Sequence, residues 1–113
     1  MLIEDIKKLV AERKIQWTSH CVKQMIERDI SRADVLHCIN HGEIIEDYPN
    51  DYPFPSSLLF GHSENKRTIH VVVGSDEEKI YIITAYIPNI IKFEADLKTR
   101  SFLYKVSVPN RGA

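Results

Sequence analysis

A chain of 113 residues, 43% hydrophobic and 27% charged, is long enough to close one hydrophobic core and too short for a second. Its net charge of −1 excludes a global field that would gather nucleic acid, and no apolar run approaches the roughly 18 residues of a membrane span. The charged start, MLIEDIKKLV, does not read as a secretory signal, so Cys21 and Cys38 are expected to be reduced thiols in a cytoplasmic protein. Charge is unevenly spread. Residues 1–78 carry 9 Lys/Arg against 14 Asp/Glu, and residues 79–113 carry 6 against 2, which suggests one basic, polyanion-facing surface.

Leu2, Ile6, Leu9 and Val10 recur at helical spacing and predict a helix over 2–13. KIQW (14–17) reads as a linker. Thr18 or Ser19 caps a second helix with Cys21, Val22, Met25 and Ile26 inward, ending at Asp29. Ser31 and Asp34 form a capping-box pattern for a third helix, with Val35, Leu36 and Ile39 inward and Gly42 past its end. Strands follow at 43–48, 57–62, 68–74 and 79–87. The prolines of YPNDYPFPS (48–56) deny that stretch ladder donors and make it an ordered loop. Polar connections of a few residues join the last three strands into an antiparallel meander. Segment 101–108 reads as either an added edge strand or a tail. The fold expected is a two-layer α+β domain over residues 1–100, with N-terminal helices packed on a mostly antiparallel meander sheet and 101–113 as an extension.

Strand alternation sharpens this expectation. Ile69, Val71 and Val73 are odd-numbered and apolar, as are Tyr81, Ile83, Ala85 and Ile87, so both sets should face the helices. Pairing Val72 with Ile82 aligns them and sets His70 opposite Thr84, with Tyr86 beside them on the other face. Three polar groups on a half-apolar floor have the composition of a small binding site.

Four constellations carry candidate chemistry. His20 in a helical first turn sits at the positive end of the dipole, which favours neutral imidazole, the form a general base needs. His20 and His70 on one phosphodiester would serve as base and acid for 2′-hydroxyl attack on RNA. Arg28 or Arg100 would steady the phosphorane charge. His37 and His41, spaced i, i+4 in HCINH, suit one metal on paper, but no CxxC or HExxH accompanies them. A solvated helix end is the expectation there, with no metal and no cofactor. Glu43 and Glu46 read as exposed strand charges.

The stretches WTSHC, MIERDIS, GEIIEDYPNDYPFPS, LLFG, IHVVV, IITAYIP and FEADLKTR together resemble the bacterial domain of unknown function family numbered 4258. That family is similar to ribonuclease toxins of the RelE/MqsR type. The resemblance implies a RelE/MqsR-like fold, metal-independent RNA cleavage, and neutralisation by a cognate antitoxin of the zinc-finger MqsA kind. The family's recurring polar positions fall on His20, Arg28, Glu43, Tyr48, Asp51, Ser56, His70, Thr84, Tyr86 and Arg100. The expected catalytic set is His20, His70, Arg28, Tyr86 and Thr84. The expected RNA-binding set is Arg100, Lys98, Tyr48, Tyr52 and Phe54, the aromatic residues serving as base-stacking surfaces. The alternative is a non-catalytic module that binds RNA or a partner protein through the same face.

Overall fold

A computed structural model describes residues 1–89 and 96–100; the extension at 101–113 lies outside the described residues. Three helices, α1 (Ile3–Ala11), α2 (Ser19–Arg28) and α3 (Arg32–His41), pack on a five-stranded sheet. The strands are β1 (Ile15–Trp17), β2 (Glu43–Tyr48), β3 (Ser56–His62), β4 (Thr68–Ser75) and β5 (Ile80–Tyr86), in spatial order β1-β5-β4-β3-β2. The two-layer α+β architecture and the antiparallel β3-β4-β5 meander are as expected from the sequence.

The expected linker 14–17 is instead a strand. Ile15, Gln16 and Trp17 pair in parallel with Ile80, Tyr81 and Ile82. A three-residue strand is too short to show period-2 alternation, so the pattern could not announce it. Its brevity has a consequence: among the described residues the outer edge of β5 beyond Ile82 has no strand partner. Thr18 Oγ1 donates to the Ile82 carbonyl at 2.9 Å, and Arg28 Nη1 donates to the Ala85 carbonyl at 2.8 Å. Side chains from around α2 thus complete the hydrogen bonding that β1 leaves unfinished.

The helix ends follow their signals. Thr18 accepts from the Cys21 N–H and caps α2, and Asp29 closes it in the left-handed region with φ 54°. Ser31 and Asp34 form the reciprocal capping box of α3, both bonds at 3.0 Å. Ser31→Ala removes one side of the box and should cost about 1 kcal/mol, read as a lower urea midpoint at unchanged slope. The inner face of α2 is narrower than expected. Cys21 and Met25 are buried and Val22 is partly so, but Ile26 is 77% exposed. Gly42 follows α3 where a Cβ would lie 2.4 Å from both the Cys38 and Phe60 carbonyl oxygens, so the close passage of helix end over strand requires glycine.

The core between layers gathers Ile6, Cys21, Met25, Val35, Cys38 and Ile39 from the helices with Leu59, Ile69, Val71, Val73, Ile80, Ile82 and Ala85 from the sheet. Burial pushes the Cys21 thiol up to about 11, against a small opposing pull from Arg28, and the Cys38 thiol up to about 12. Both thiols should therefore resist iodoacetamide at pH 8 in the folded protein and react in 8 M urea, with modification followed by intact mass.

The register of β5 corrects the alternation argument. His70 pairs with Tyr86 and Val72 with Thr84, and a bulge between Val72 and Val73 then sets Val73 against Ile82. The extra residue reverses the facing of β5. Ile80 and Ile82 face the helices before the bulge and Ala85 after it, while Ile83 and Tyr86 belong to a second apolar cluster with Leu58, Val72, Ile45 and Tyr48. Tyr81 and Ile83 are therefore not helix-facing, and Ile87 is exposed.

Candidate functional site

On the sheet face away from the helices, cross-strand pairing makes a row of rings. Ile69 and Val71 enter the helix-side core, so His70 between them points the other way. His70 lies opposite Phe60 on β3 and opposite Tyr86 on β5. The three rings meet edge to face, Phe60–His70 at 6.0 Å and His70–Tyr86 at 5.2 Å between centroids. Residues 96–100 cross this row. Lys98 Nζ stands 4.7 Å over the Phe60 ring and 3.2 Å from Glu43, and the Leu97 carbonyl lies 2.6 Å from His70 Nε2.

His70 is fully buried. Burial pushes its pKa down to about 4; the Leu97 carbonyl and Glu46 oppose this and the Arg100 charge reinforces it. The ring is neutral at pH 7, and its tautomer follows from its neighbours. A carbonyl only accepts, so Nε2 carries the proton and donates to Leu97. Nδ1 then accepts from the Tyr86 hydroxyl at 3.1 Å. The pair is oriented for proton movement from a phenol to an imidazole.

A second group lies on the same face. Arg100 grips Glu46 with two hydrogen bonds, Nε to Oε2 at 2.8 Å and Nη2 to Oε1 at 2.9 Å, and the Tyr48 hydroxyl donates to Glu46 as well. Arg100 is only 8% exposed. Burial works against its charge, but the Glu46 carboxylate more than offsets this and raises the guanidinium pKa above its ordinary value. Burial, then the Glu46 bond, also hold the Tyr48 phenol well above the usual range. Glu46 is therefore not the exposed strand charge expected from the sequence but the centre of a fork-shaped ion pair.

The structure divides the remaining expected residues. His20 stands exposed on the first turn of α2, in the helical layer, and among the described residues it makes no hydrogen bond or ring contact with His70. The expected His20–His70 couple is not formed, because α2 packs through Cys21 and Met25 on the face opposite His70. Arg28 and Thr84 tie α2 to β5: Arg28 of α2 bonds the Ala85 carbonyl, and Thr84, paired with Val72 in the sheet, donates to Gln24 Oε1. Of the loop aromatics, Tyr48 joins the ion pair, Phe54 stacks on Tyr81 at 5.2 Å and 11°, and Tyr52 is 91% exposed. Ser56 donates to Asp51 at 2.6 Å and Ser57 to Asp47 at 2.7 Å, tying down the proline-rich loop and the neighbouring β2.

Phe60 and Leu97 were not singled out from the sequence, and Glu46 was read there only as an exposed strand charge. Phe60 was findable once the β3–β4 register was known, but Leu97 acts through a backbone carbonyl, which no side-chain pattern reports. A surface cavity of about 580 Å³ beside α1, lined by Met1, Asp5, Lys8, Pro49, Pro55 and Glu77 among others, contains none of these groups. Among the described residues no helix is long and apolar enough to cross a membrane.

Comparison with known families gives a match over most of the chain. The family described as "Domain of unknown function (DUF4258)" covers residues 17–87, from the end of β1 to the residue after β5. It includes His20, Arg28, Glu46, Tyr48, His70, Thr84 and Tyr86, and stops before Leu97, Lys98 and Arg100. No curated protein and no solved structure matches the chain.

Proposed function

This chain belongs to the DUF4258 family, and from that premise we propose that it is a metal-independent endoribonuclease of toxin–antitoxin type, working on the sheet face away from α1, α2 and α3. The observation that carries the reading is the convergence of an imidazole, a carboxylate, two phenols and a guanidinium (His70, Glu46, Tyr86, Tyr48 and Arg100) on that face. Burying such groups is costly to a small fold, and clusters with displaced pKa values concentrate at functional sites.

The roles differ from those expected from sequence. Tyr86 takes the 2′-hydroxyl proton while passing its own to His70 Nδ1, which is already its hydrogen-bond acceptor. Arg100, held in orientation by Glu46 and Tyr48, stabilises the phosphorane. The Leu97 carbonyl occupies the His70 Nε2–H in the resting arrangement, so substrate has to displace it. The RelE/MqsR-type resemblance expected from the sequence motifs would add a cognate antitoxin, zinc-finger MqsA-like, as the neutralising partner and RNA as the substrate.

A second reading draws on one specific observation: His70 is fully enclosed and Arg100 is already paired within the chain. A non-catalytic RNA- or partner-binding module of the same fold uses these groups only to hold the face together. RNA incubated with the purified chain in excess chelator separates the two. The enzyme reading expects cleavage that falls by at least ~100-fold in His70→Gln and Tyr86→Phe and persists in His20→Ala. RNA binding without turnover in the wild type supports the module.

A further inference from the structure

The last turn of α3 carries two histidines that the ribonuclease reading does not use. His37 Nδ1 lies 2.8 Å from the His62 carbonyl, and His41 Nδ1 lies 3.1 Å from the His37 carbonyl. Each carbonyl can only accept, so each ring carries its proton on Nδ1. In the neutral form both therefore leave Nε2 with a free lone pair. The rings stack at 4.4 Å between centroids with 30° between their planes, which keeps them side by side on one helix face. His37 is partly exposed and His41 exposed, so solvent reaches the pair.

From this geometry we propose that His37 and His41 form a chelating site for a borderline divalent metal ion, Zn²⁺ or Cu²⁺, through their two Nε2 atoms. Three physical features support it. An i, i+4 pair sits on one helix face, so two imidazoles reach one ion at the ~2.0–2.1 Å zinc–nitrogen length once the rings turn out of their stacked arrangement. The other nitrogen of each ring is already fixed by a backbone carbonyl, the outer-shell arrangement that orients metal-binding histidines and strengthens them as donors. The helix C-terminus contributes partial negative charge from its last carbonyls, which favours a cation there.

Among the described residues no third His, Cys, Asp or Glu side chain joins this pair, so water completes the coordination. Imidazole donors with open positions follow the usual divalent order, so Cu²⁺ binds more tightly than Zn²⁺. The site is separate from the proposed ribonuclease face, and the metal takes no part in that chemistry.

Tag-free full-length protein titrated with Zn²⁺, and separately with Cu²⁺, tests the proposal by calorimetry. Imidazole ¹⁵N spectra with Zn²⁺ identify the ligating nitrogens. The expected result is one ion per chain, with Nε2 rather than Nδ1 resonances of His37 and His41 shifted. Binding should weaken at least ~10-fold in His37→Gln and in His41→Gln and stay unchanged in His20→Gln. Absence of saturable binding in the wild type overturns the site, as does binding that survives either single substitution.

Discussion

Glu46→Gln should lower the unfolding free energy by about 3 kcal/mol, although the substitution preserves shape. The loss comes from charge. Arg100 is 8% exposed and donates twice to the Glu46 carboxylate, while the Tyr48 hydroxyl donates to the same group. An amide keeps one acceptor oxygen and presents an N–H₂ where the second acceptor stood. The guanidinium then loses, in a poorly hydrated place, the carboxylate charge to which it donates twice. Glu46 retains 20% side-chain exposure, so the effect falls toward the lower end of the range for buried pairs. Replacing both partners, Glu46→Met with Arg100→Met, removes both desolvation penalties and should recover most of the loss. Urea unfolding of the three variants reads this directly. A single-variant loss below about 1 kcal/mol would mean that residues 96–100 dock on the domain without contributing to its cooperative unfolding.

Acid should unfold the protein through His70 before it acts on the carboxylates. The folded ring has its pKa pushed down to about 4, while in the unfolded chain it titrates at the ordinary 6.5. Between those values the unfolded state binds a proton that the folded state refuses, so stability rises with pH across the window. The contribution is fully present above pH 6.5 and is lost as pH falls through 4. Its size between pH 7 and pH 4 is roughly 3 kcal/mol. Asp34 and Asp47 are displaced downward like His70, but they start from the carboxylate range. Hydrogen bonds from Ser31 hold Asp34 below the ordinary carboxylate value despite some burial, and the bond from Ser57 does the same for Asp47. Their contribution is present above the ordinary carboxylate pKa and disappears only below it, at lower pH than that of His70. Urea midpoints from pH 7.5 to 4 should fall steeply in the wild type and much less in His70→Gln. Parallel curves would assign the acid sensitivity to another group.

Much of the fold was written locally. Thr18, Ser31 with Asp34, Asp29 and Gly42 marked helix limits because caps and terminations act within a few residues of chain. The β3–β4–β5 meander was legible from short polar connections between alternating apolar runs. Two local features escaped for physical reasons. β1 is three residues long, below the length at which alternation becomes a signal. The bulge in β5 inserts one residue without any glycine or proline to mark it, and one extra residue is enough to exchange the faces of a strand.

The candidate site was legible in part for the same reason. His70 and Tyr86 were gathered on one face because each emerges from a long strand, and the structure places them in direct contact. His20 and Arg28 were assigned to that face wrongly, and Thr84, which keeps that face through its pairing with Val72, bonds Gln24 of α2 rather than His70. Their directions depend on how α2 lies against β5, which is a matter of layer packing rather than of strand period.

By itself the sequence determined which segments coil, which extend, where each helix is capped, and that His70 and Tyr86 emerge from neighbouring extended strands. Those properties come from backbone stereochemistry and short-range hydrogen bonding, so neighbouring residues suffice to specify them. Only the tertiary structure decided that Glu46 meets Arg100 across 54 positions of chain, that the Leu97 carbonyl closes over His70, and that α2 turns its polar residues to the opposite layer. Those outcomes are long-range pairings, selected because buried charges and imidazole nitrogens must find partners once water is excluded, and no local pattern names the partner.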